Sequence, residues 1–593
     1  MTVPEDEALS EEIFPNAALA DIFSIAAAIS AADDLPSLLD LIVSKARELT
    51  CSDAGAIYLR EGNEGGLCLR VFQNSSLQSQ AHPLLGKPLQ ISPRMLVGWT
   101  VQSGEVLNIG DVHAISPDAP YQFDDAVDRK LGYRSVSMLV VPLRTSSGEV
   151  VGTMQLINRK HNAAVRITVE NSTARVRPYN AAEQALIQAL AHLAAVCVQR
   201  TRLLEHQRRQ IDSMVAMLAG AIDARSPHTG SHCERVPELA ILLAQAAEAE
   251  QDGPLAGFRF HDEQEWREFR TAAWLHDCGK IATPDCLVEK ATKLDAWGNR
   301  ISEIRTRFEV LLRDARIEML EAQLAGGDPE QLERNYRARA AELHDDFAFI
   351  ARCNLGSERM EPNDRERLRE LAGRRWQRHF DDRLGLGWEE RSRFPEPPPA
   401  LPAMETLLAD HPWHRIPRPP KAIPDPSWGF KMAIPAHLYN RGELYNLSIP
   451  RGTLTAEERY LIQEHMVHTI MMLEGMHFPP EMARVPAYAG AHHETLTGNG
   501  YPRGLKADQL PIPARILAIA DIFEALTASD RPYKRCHTVS EALSILEDFH
   551  RRGTIDGDLL DVFIRSGVWR TYGQRFLRPD QLDITEFPRP AFR

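Results

Sequence analysis

The sequence predicts a multidomain protein in which an α+β domain is joined by a long helix to an all-α domain that carries a large insertion. Three patterns predict this order. Strand-like alternation fills residues 50–160, apolar residues recur seven apart from 186 to 221, and helical periodicity then runs to about residue 563 around a proline-rich stretch. At about one domain per 150 residues, 593 residues correspond to three or four units.

The α+β domain is expected over residues 18–200. AGAIYLR alternates like a half-buried strand, and LCLRVFQ and VLNIGD follow with similar patterns. SVSMLVVPLRTSSGEVVGTMQLIN predicts a hairpin whose turn contains Ser146, Ser147 and Gly148. Strands bracketed by helices indicate an α+β layer structure.

The linking helix is expected over residues 181–225. One heptad seam along it comprises Leu190, Cys197, Leu204, Ile211 and Leu218. Such a seam is typical of a parallel two-helix coil, which would make the protein a homodimer. An amphipathic helix packed on its own chain fits the pattern equally well.

Composition excludes several classes of function. The 68 basic and 82 acidic residues give a net charge of −14, which argues against a protein that binds duplex nucleic acid. No run reaches the 18 or so apolar residues of a membrane span, and the acidic N-terminus does not resemble a secretory signal. The eight scattered cysteines contain no C-x-x-C pair. We therefore expect a reduced, cytoplasmic protein without a membrane span.

The second half is expected to be a helical domain in two parts, 226–320 and 446–593. The intervening insertion, 321–445, reads as helical and then proline-rich. Eleven of the chain's 39 prolines lie between residues 395 and 426, a density that excludes a continuous helix and favours extended backbone.

Candidate metal ligands lie on the predicted helices of this domain. Asp521, in the run RILAIADIFEAL, is the most telling, because a carboxylate amid isoleucine, leucine and alanine is costly to bury without a partner or an ion. Nitrogen and oxygen ligands without thiolates suit iron or manganese. There are enough of them for two or three divalent ions, with Asp277 placed to bridge. The candidates are His228, His232, His276, Asp277, His465, His492, His493 and Asp521.

Nearby cations indicate a phosphorylated substrate. Two ions about 3.5–4 Å apart suit phosphoester hydrolysis, and basic side chains would hold the phosphates. The candidates are Lys280, Arg515, Arg531 and Lys534. Residues 498–504 come close to a dinucleotide-binding glycine signature, but the third glycine is one position late and no strand precedes it, so that reading is rejected.

At these residues the chain resembles the HD-GYP family of metal-dependent cyclic di-GMP phosphodiesterases. The matching blocks are HTGSHCERV, HDCGKI, a later EH, HHETLTGNGYPRGL and ARILAIADIFEALTASDRPYK. The resemblance implies an all-α HD-type metallophosphohydrolase domain that hydrolyses a cyclic dinucleotide to the linear dinucleotide or GMP. It further implies catalytic roles for Asp277 and Lys280, and phosphate contacts from Lys280, Arg531 and Lys534. Gly500, Tyr501 and Pro502 would form the loop near the substrate. The implied ligands are His232, His276, Asp277, His465, His492, His493 and Asp521.

Three features depart from the family pattern. His228 stands where three-metal members carry glutamate, and Thr469 stands where glycine is common. The insertion of about 125 residues is not a standard part of the family. It is a candidate gate, and the insertion and the substrate loop are candidate surfaces for a protein partner.

The first domain resembles a GAF domain in DAGAIYLR, VGWTVQSGEVLNIGDV, GYRSVSMLVVPL and GEVVGTMQLINRK. The resemblance implies a sensor that regulates the second domain, or a dimerisation module, and its ligand stays unknown. Asn158, Arg159 and Lys160 are only a fragment of the cyclic-nucleotide signature. For the whole protein, a phosphohydrolase of another cyclic dinucleotide or nucleotide and a non-catalytic cyclic di-GMP receptor remain as alternatives.

Overall fold

The computed structural model describes residues 34–61, 66–77, 85–89, 91–225, 232–296, 298–356, 359–528 and 536–587. The chain divides into two compact units, Met1–Ile211 and Asp212–Arg593. The predicted His228, Arg531 and Lys534 lie outside the described residues, as does the start of the first domain.

The first unit is built on one antiparallel sheet of six strands in the order β3-β2-β1-β6-β5-β4. The strands are β1 (Ser52–Glu61), β2 (Gly66–Asn74), β3 (Pro88–Leu89), β4 (Leu107–Ile109), β5 (Met138–Arg144) and β6 (Val150–Arg159). The helices are α1 (Leu35–Thr50), α2 (Leu96–Ser103), α3 (Ala126–Leu131), α4 (Ser172–Arg175) and α5 (Ala181–Arg225). The β5–β6 hairpin is confirmed, and Gly148 in its turn has a φ of +89°, a region that favours glycine.

Successive side chains of a strand point to opposite faces of the sheet, and helices cover both faces. In β1, Ile57 and Leu59 pack with α1 and α5, whereas Ala56 and Tyr58 pack with α2. The predicted α+β fold of the first domain is therefore confirmed.

The first part of helix α5 has a buried face, whereas most of its later residues are exposed. Within the described residues, Ala181–Ile222 is the helix that is long and apolar enough to cross a membrane by length and composition. Its first part packs in the core of the first unit, which accounts for much of this apolar character. The core residues of α5 are Ile187, Leu190, Ala191, Ala194, Ala195, Cys197 and Val198. Leu190 and Cys197 thus pack on their own chain, so the predicted seam is wrong at these two positions.

The second unit continues as helices and short strands. Its longer helices are α6 (His232–Glu248), α7 (Glu263–Leu275), α9 (Ile301–Leu324), α10 (Pro329–Asn354), α11 (Pro362–Ala372), α14 (Ala456–Gln463), α15 (His465–Gly475), α17 (Ile512–Thr527), α18 (Val539–Arg551), α19 (Gly557–Arg565) and α20 (Val568–Phe576). Short helices are α8 (Asp285–Val288), α12 (Trp388–Arg391), α13 (Glu443–Leu447) and α16 (Val485–Ala489).

The insertion has a hydrophobic core of its own. Ile304 and Phe308 of α9 pack there with Phe349 and Ile350 of α10, and Leu294 also belongs to it. Helix α9 thus packs with the insertion, although the predicted boundary placed most of it in the preceding part. An amphipathic pattern shows that a helix has an apolar face but not which element covers it, which explains the difference.

The proline-rich stretch is irregular and extended, as predicted. Residues 395–426, all of them described, contain no α-helix. Two small antiparallel sheets lie in this part of the chain, β7 (Arg375–Arg378) with β8 (Ala403–Thr406), and β9 (Arg415–Pro417) with β10 (His437–Asn440).

Candidate metal centre

Five separate stretches of the second unit bring seven of the predicted ligands together. His232 begins α6, His465 begins α15, and Asp521 lies inside α17. His276 and Asp277 follow the end of α7, and His492 and His493 follow α16. These seven residues form two groups, and within each group the candidate ligand atoms all lie within 4.8 Å of one another. The first group is His232, His276, Asp277 and Asp521, and the second group is Asp277, His465, His492 and His493.

Asp277 is the residue common to both groups. Its Oδ2 lies 3.0 Å from His232 Nε2 and 3.2 Å from His276 Nε2. Its Oδ1 lies 3.2 Å from His465 Nε2 and 3.9 Å from His492 Nε2. One carboxylate oxygen therefore faces each group, which is the arrangement of a carboxylate that bridges two ions.

Three histidines are oriented by the same local contact. Nδ1 of His276, His465 and His492 lies 2.7, 2.5 and 2.8 Å from the backbone carbonyl three residues earlier. Because a carbonyl only accepts, Nδ1 carries the proton and Nε2 presents its lone pair to the cluster. These three Nε2 atoms are buried and make no hydrogen bond within the described structure, and the same holds for Asp277 Oδ1.

Such unpartnered atoms indicate a cation. A buried polar atom without a partner costs about 1–3 kcal/mol, and four of them converge here. Neutral imidazoles and carboxylates are ligands for borderline and hard divalent ions. The residues present therefore fit one divalent ion in each group.

Glu524 is a site residue that the sequence analysis missed. Its buried Oε2 lies 2.5 Å from His232 Nδ1, and its Oε1 accepts a 2.8 Å hydrogen bond from Arg235 Nε. A carboxylate behind a ligating histidine fixes the ring and raises its basicity. One signal was present, because Glu524 is a second carboxylate one helical turn after Asp521 in the same apolar run.

The electrostatics favour an ionised Asp277 and a neutral His492, but a protonated His232. Burial raises the pKa of Asp277, but Lys280 and His276 outweigh it and hold that pKa well below its usual range. Burial, with His276, lowers the pKa of His492 to about 4. Burial also acts to lower the pKa of His232, but Glu524 and Asp277 raise it to about 9. An ion that binds His232 Nε2 therefore has to displace a proton.

The predicted cations fall in different places. Lys280 Nζ pairs with Asp277 Oδ2, which places Lys280 at the candidate metal centre. The Lys280 side chain is also partly exposed. Arg515 is not brought into either ligand group. Its guanidinium donates to Asp556 at 2.8 Å and to the carbonyls of Leu510 and Ala507, which holds a turn in place. A phosphate contact by Arg515 has no support from this geometry.

The predicted substrate loop, Gly500–Tyr501–Pro502 (the GYP loop), lies beside the second group. The Tyr501 ring stacks on His493 with centroids 4.8 Å apart. A Cβ at Gly500 would lie 2.5 Å from Glu494 Cα, so only glycine fits. The buried Glu494 carboxylate accepts the backbone N–H groups of the three residues that follow the loop, at 2.6–3.0 Å. The loop is therefore held rigidly, and Glu494 is a second residue that sequence reasoning missed.

A close helix contact fixes the backbone next to Asp277. The Gly279 N–H donates to Thr469 Oγ1 at 2.9 Å, and a Cβ at Gly279 would overlap the carbonyl of His465. Thr469, which departs from the expected glycine, therefore supplies a hydrogen bond between the two ligand-bearing segments. Cys278 is buried here, and burial raises its pKa to about 12, as expected of a packing residue.

Comparison with known proteins agrees with the fold. A GAF domain model matches residues 34–198, and an HD domain model matches residues 403–559. The chain contains a GAF domain and an HD domain. The HD match begins after His232, His276 and Asp277, so these three candidate ligands are placed in the site by the structure and not by the match. The match includes residues 403–445 of the predicted insertion.

The curated relatives are phosphodiesterases by name. The chain is 37% identical over 140 residues to 3'3'-cGAMP-specific phosphodiesterase 1 of Vibrio cholerae, covering 23% of this chain and 29% of that one. It is 34% identical over 143 residues to the cyclic di-GMP phosphodiesterase response regulator RpfG of Xanthomonas campestris, covering 23% and 35%. The cyclic di-GMP phosphodiesterase PA4108 of Pseudomonas aeruginosa is 31% identical over 136 residues, covering 23% and 30%. The chain thus spans about a third of the length of these relatives.

Proposed function

We propose that this protein is a metal-dependent phosphodiesterase that hydrolyses cyclic di-GMP to the linear dinucleotide, GMP or both. The observation that carries the proposal is that two groups of nitrogen and oxygen side chains share Asp277, and that Nε2 of His276, His465 and His492 and Oδ1 of Asp277 are buried without a hydrogen bond in the described structure. The names of the relatives support the same substrate class.

The chain's own side chains account for the chemistry expected at this site. Two bound divalent ions would activate water and stabilise negative charge on the phosphoryl oxygens. His232, His276 and Asp521 would hold one ion, and His465, His492 and His493 the other, with Asp277 between them. The Lys280 ammonium, next to Asp277 and partly exposed, is placed to contact a phosphate oxygen. The Tyr501 ring offers an apolar wall beside His493.

A second candidate substrate is 3'3'-cGAMP, which the name of the Vibrio cholerae relative specifies. The decisive experiment uses the full chain, purified anaerobically and loaded with Mn²⁺ or Fe²⁺. Cyclic di-GMP, 3'3'-cGAMP and 3',5'-cyclic GMP are incubated separately and followed by chromatography. We expect cyclic di-GMP to be converted fastest, and chelation to stop the conversion. Faster loss of 3'3'-cGAMP would reassign the substrate, and tight cyclic di-GMP binding without turnover would indicate a receptor.

We propose that the GAF domain regulates this site through α5. In the first unit, Arg159 at the end of β6 forms an ion pair with Glu183 in the first turn of α5. Arg159 also donates to the Pro178 carbonyl at 3.1 Å. Asn158 and the buried Lys160, which pairs with Asp53 at 3.1 Å, serve similar structural contacts. The three signature-like residues thus join the sheet to its neighbouring segments, and they support mechanical coupling more than ligand binding.

We also propose that α5 pairs with α5 of a second copy, through a seam shifted from the predicted one. Val196, Leu203 and Met217 are 42%, 58% and 66% exposed and lie at multiples of seven residues. We expect the full chain to be a dimer by light scattering and the double variant Leu203→Glu, Met217→Glu to be a monomer, because two charges would face their symmetry mates. The control Glu205→Gln should stay dimeric. A monomeric wild-type chain would rule out the pairing.

A further inference from the structure

The insertion contacts the GYP loop through a short segment, residues 428–431, here called the strap. The Lys431 N–H donates to the Pro502 carbonyl at 2.8 Å. Arg503 Nε donates to the Trp428 carbonyl at 3.3 Å, and the Arg503 guanidinium lies 5.6 Å from the centre of the Phe430 ring. The strap therefore holds the loop on the side that follows Tyr501.

A second contact from the insertion reaches the helix that begins with His465. Arg418 is buried, and its guanidinium lies over the Tyr460 ring at 4.5 Å. Its Nη1 lies 3.6 Å from Glu464 Oε1, and its Nε donates to the Pro435 carbonyl at 3.3 Å. Glu464 immediately precedes His465. A buried guanidinium in this position fixes the start of α15 to the insertion.

Both contacts converge on the same ligand group. Pro502 follows Tyr501, whose ring stacks on His493, and Glu464 precedes His465. His465 and His493 both belong to the second group, whereas His232 of the first group is held by Glu524 of α17. The insertion is thus built into the side of the centre that contains His465 and His493.

We propose that the strap and Arg418 are positioning residues for the second metal-binding group, an inference that rests on the metal-dependent function proposed above. They act through Tyr501 and Glu464, which orient His493 and His465. The part of the predicted insertion that the HD match includes, residues 403–445, is then a structural part of this active site and sets the affinity of one of its two ions.

The test compares Lys431→Pro with Lys431→Ala in the full chain. Proline removes the N–H that binds Pro502, whereas alanine keeps it. Both variants remove the exposed Lys431 side chain, whose charge acts on Glu494, so the comparison isolates the N–H. Mn²⁺ binding is followed by calorimetry and by the electron paramagnetic resonance signal of the coupled pair. We expect about tenfold weaker binding of one Mn²⁺ in Lys431→Pro, loss of the coupled signal, and unchanged binding of the other ion. Lys431→Ala should match the wild type.

A second pair of variants tests the proposal independently if Lys431→Pro does not fold. Phe430→Ala removes the ring beside Arg503 and leaves the strap backbone intact, and Phe430→Tyr is its control. We expect the same selective loss of one ion in Phe430→Ala. Two Mn²⁺ bound with wild-type affinity in a folded Lys431→Pro or Phe430→Ala variant would overturn the proposal. Because the readout is ion binding, a wild-type chain that binds two ions but hydrolyses no cyclic dinucleotide would contradict only the proposed function.

Discussion

Replacing Asp277 with alanine is expected to abolish cyclic di-GMP hydrolysis and to remove bound Mn²⁺ from both ligand groups. The reason is geometric, because Asp277 Oδ2 faces His232 and His276 while Oδ1 faces His465 and His492. Loss of one shared ligand should exceed the about 10- to 100-fold loss of affinity that follows removal of an outer-shell partner. Metal content by mass spectrometry and turnover by chromatography measure the two effects.

Two further variants make the Asp277 result specific. Asp277→Asn keeps the side-chain volume and one oxygen, so it should retain more metal than Asp277→Ala but less than the wild type. Asp580→Ala removes an exposed carboxylate of the same unit and should leave metal content and turnover unchanged. Full hydrolysis with two bound ions in Asp277→Ala would show that the site is assigned to the wrong residues.

The second large effect is expected at Glu524. Glu524→Gln removes the negative charge behind His232 and breaks the ion pair between Glu524 and the Arg235 guanidinium, whose side chain is only 12% exposed. We expect about 10- to 100-fold weaker Mn²⁺ binding at the first group. Breaking a buried ion pair typically costs about 3–5 kcal/mol, so a lower unfolding temperature should accompany the change.

Ion binding separates a positioning role of Glu524 from a purely structural one. The variant is titrated with Mn²⁺ well below its unfolding temperature, where the fold is intact by circular dichroism. The exposed Glu586→Gln serves as the matched control and should bind both ions normally. Wild-type affinity for both ions in folded Glu524→Gln would mean that Glu524 stabilises the fold without tuning the centre.

The seven described candidate ligands were predicted from the sequence in two ways: some residue types are unusual where they occur, and others, such as His465, followed from the resemblance to the HD-GYP family. The histidine doublet His492-His493 and an aspartate amid apolar helix residues are costly to bury unless they have a partner or an ion. Glu524 and Glu494 were harder to find, because their partners are determined by tertiary contacts. Glu524 contacts His232 across 292 positions of sequence, and Glu494 acts only through the backbone of a folded loop.

In the fold, too, local features could be predicted from the sequence, and tertiary contacts could not. Alternating strands and the proline-rich stretch follow local rules, and the structure agrees with both. The heptad pattern correctly predicted a long helix, but Leu190 and Cys197 pack against the sheet of their own unit and not against another helix. Periodicity shows which residues share a face, and only the assembled fold shows what that face contacts.

The strap shows most clearly which contacts cannot be predicted from the sequence. Nothing in the letters of residues 428–431 marks them as neighbours of the GYP loop, and the contact to Pro502 uses a backbone N–H that every residue except proline has. Sequence reasoning could therefore note the insertion as a departure from the family pattern but could not connect it with the metal centre.

The most direct test of the account is an anomalous difference map from crystals of the full chain grown with Mn²⁺ under anaerobic conditions. Two peaks about 3.5–4 Å apart, one on each side of the Asp277 carboxylate, are the predicted result. One peak should contact His232, His276 and Asp521, and the other His465, His492 and His493. A fully occupied single ion, or peaks that avoid Asp277, would contradict the dinuclear centre on which the proposed function depends.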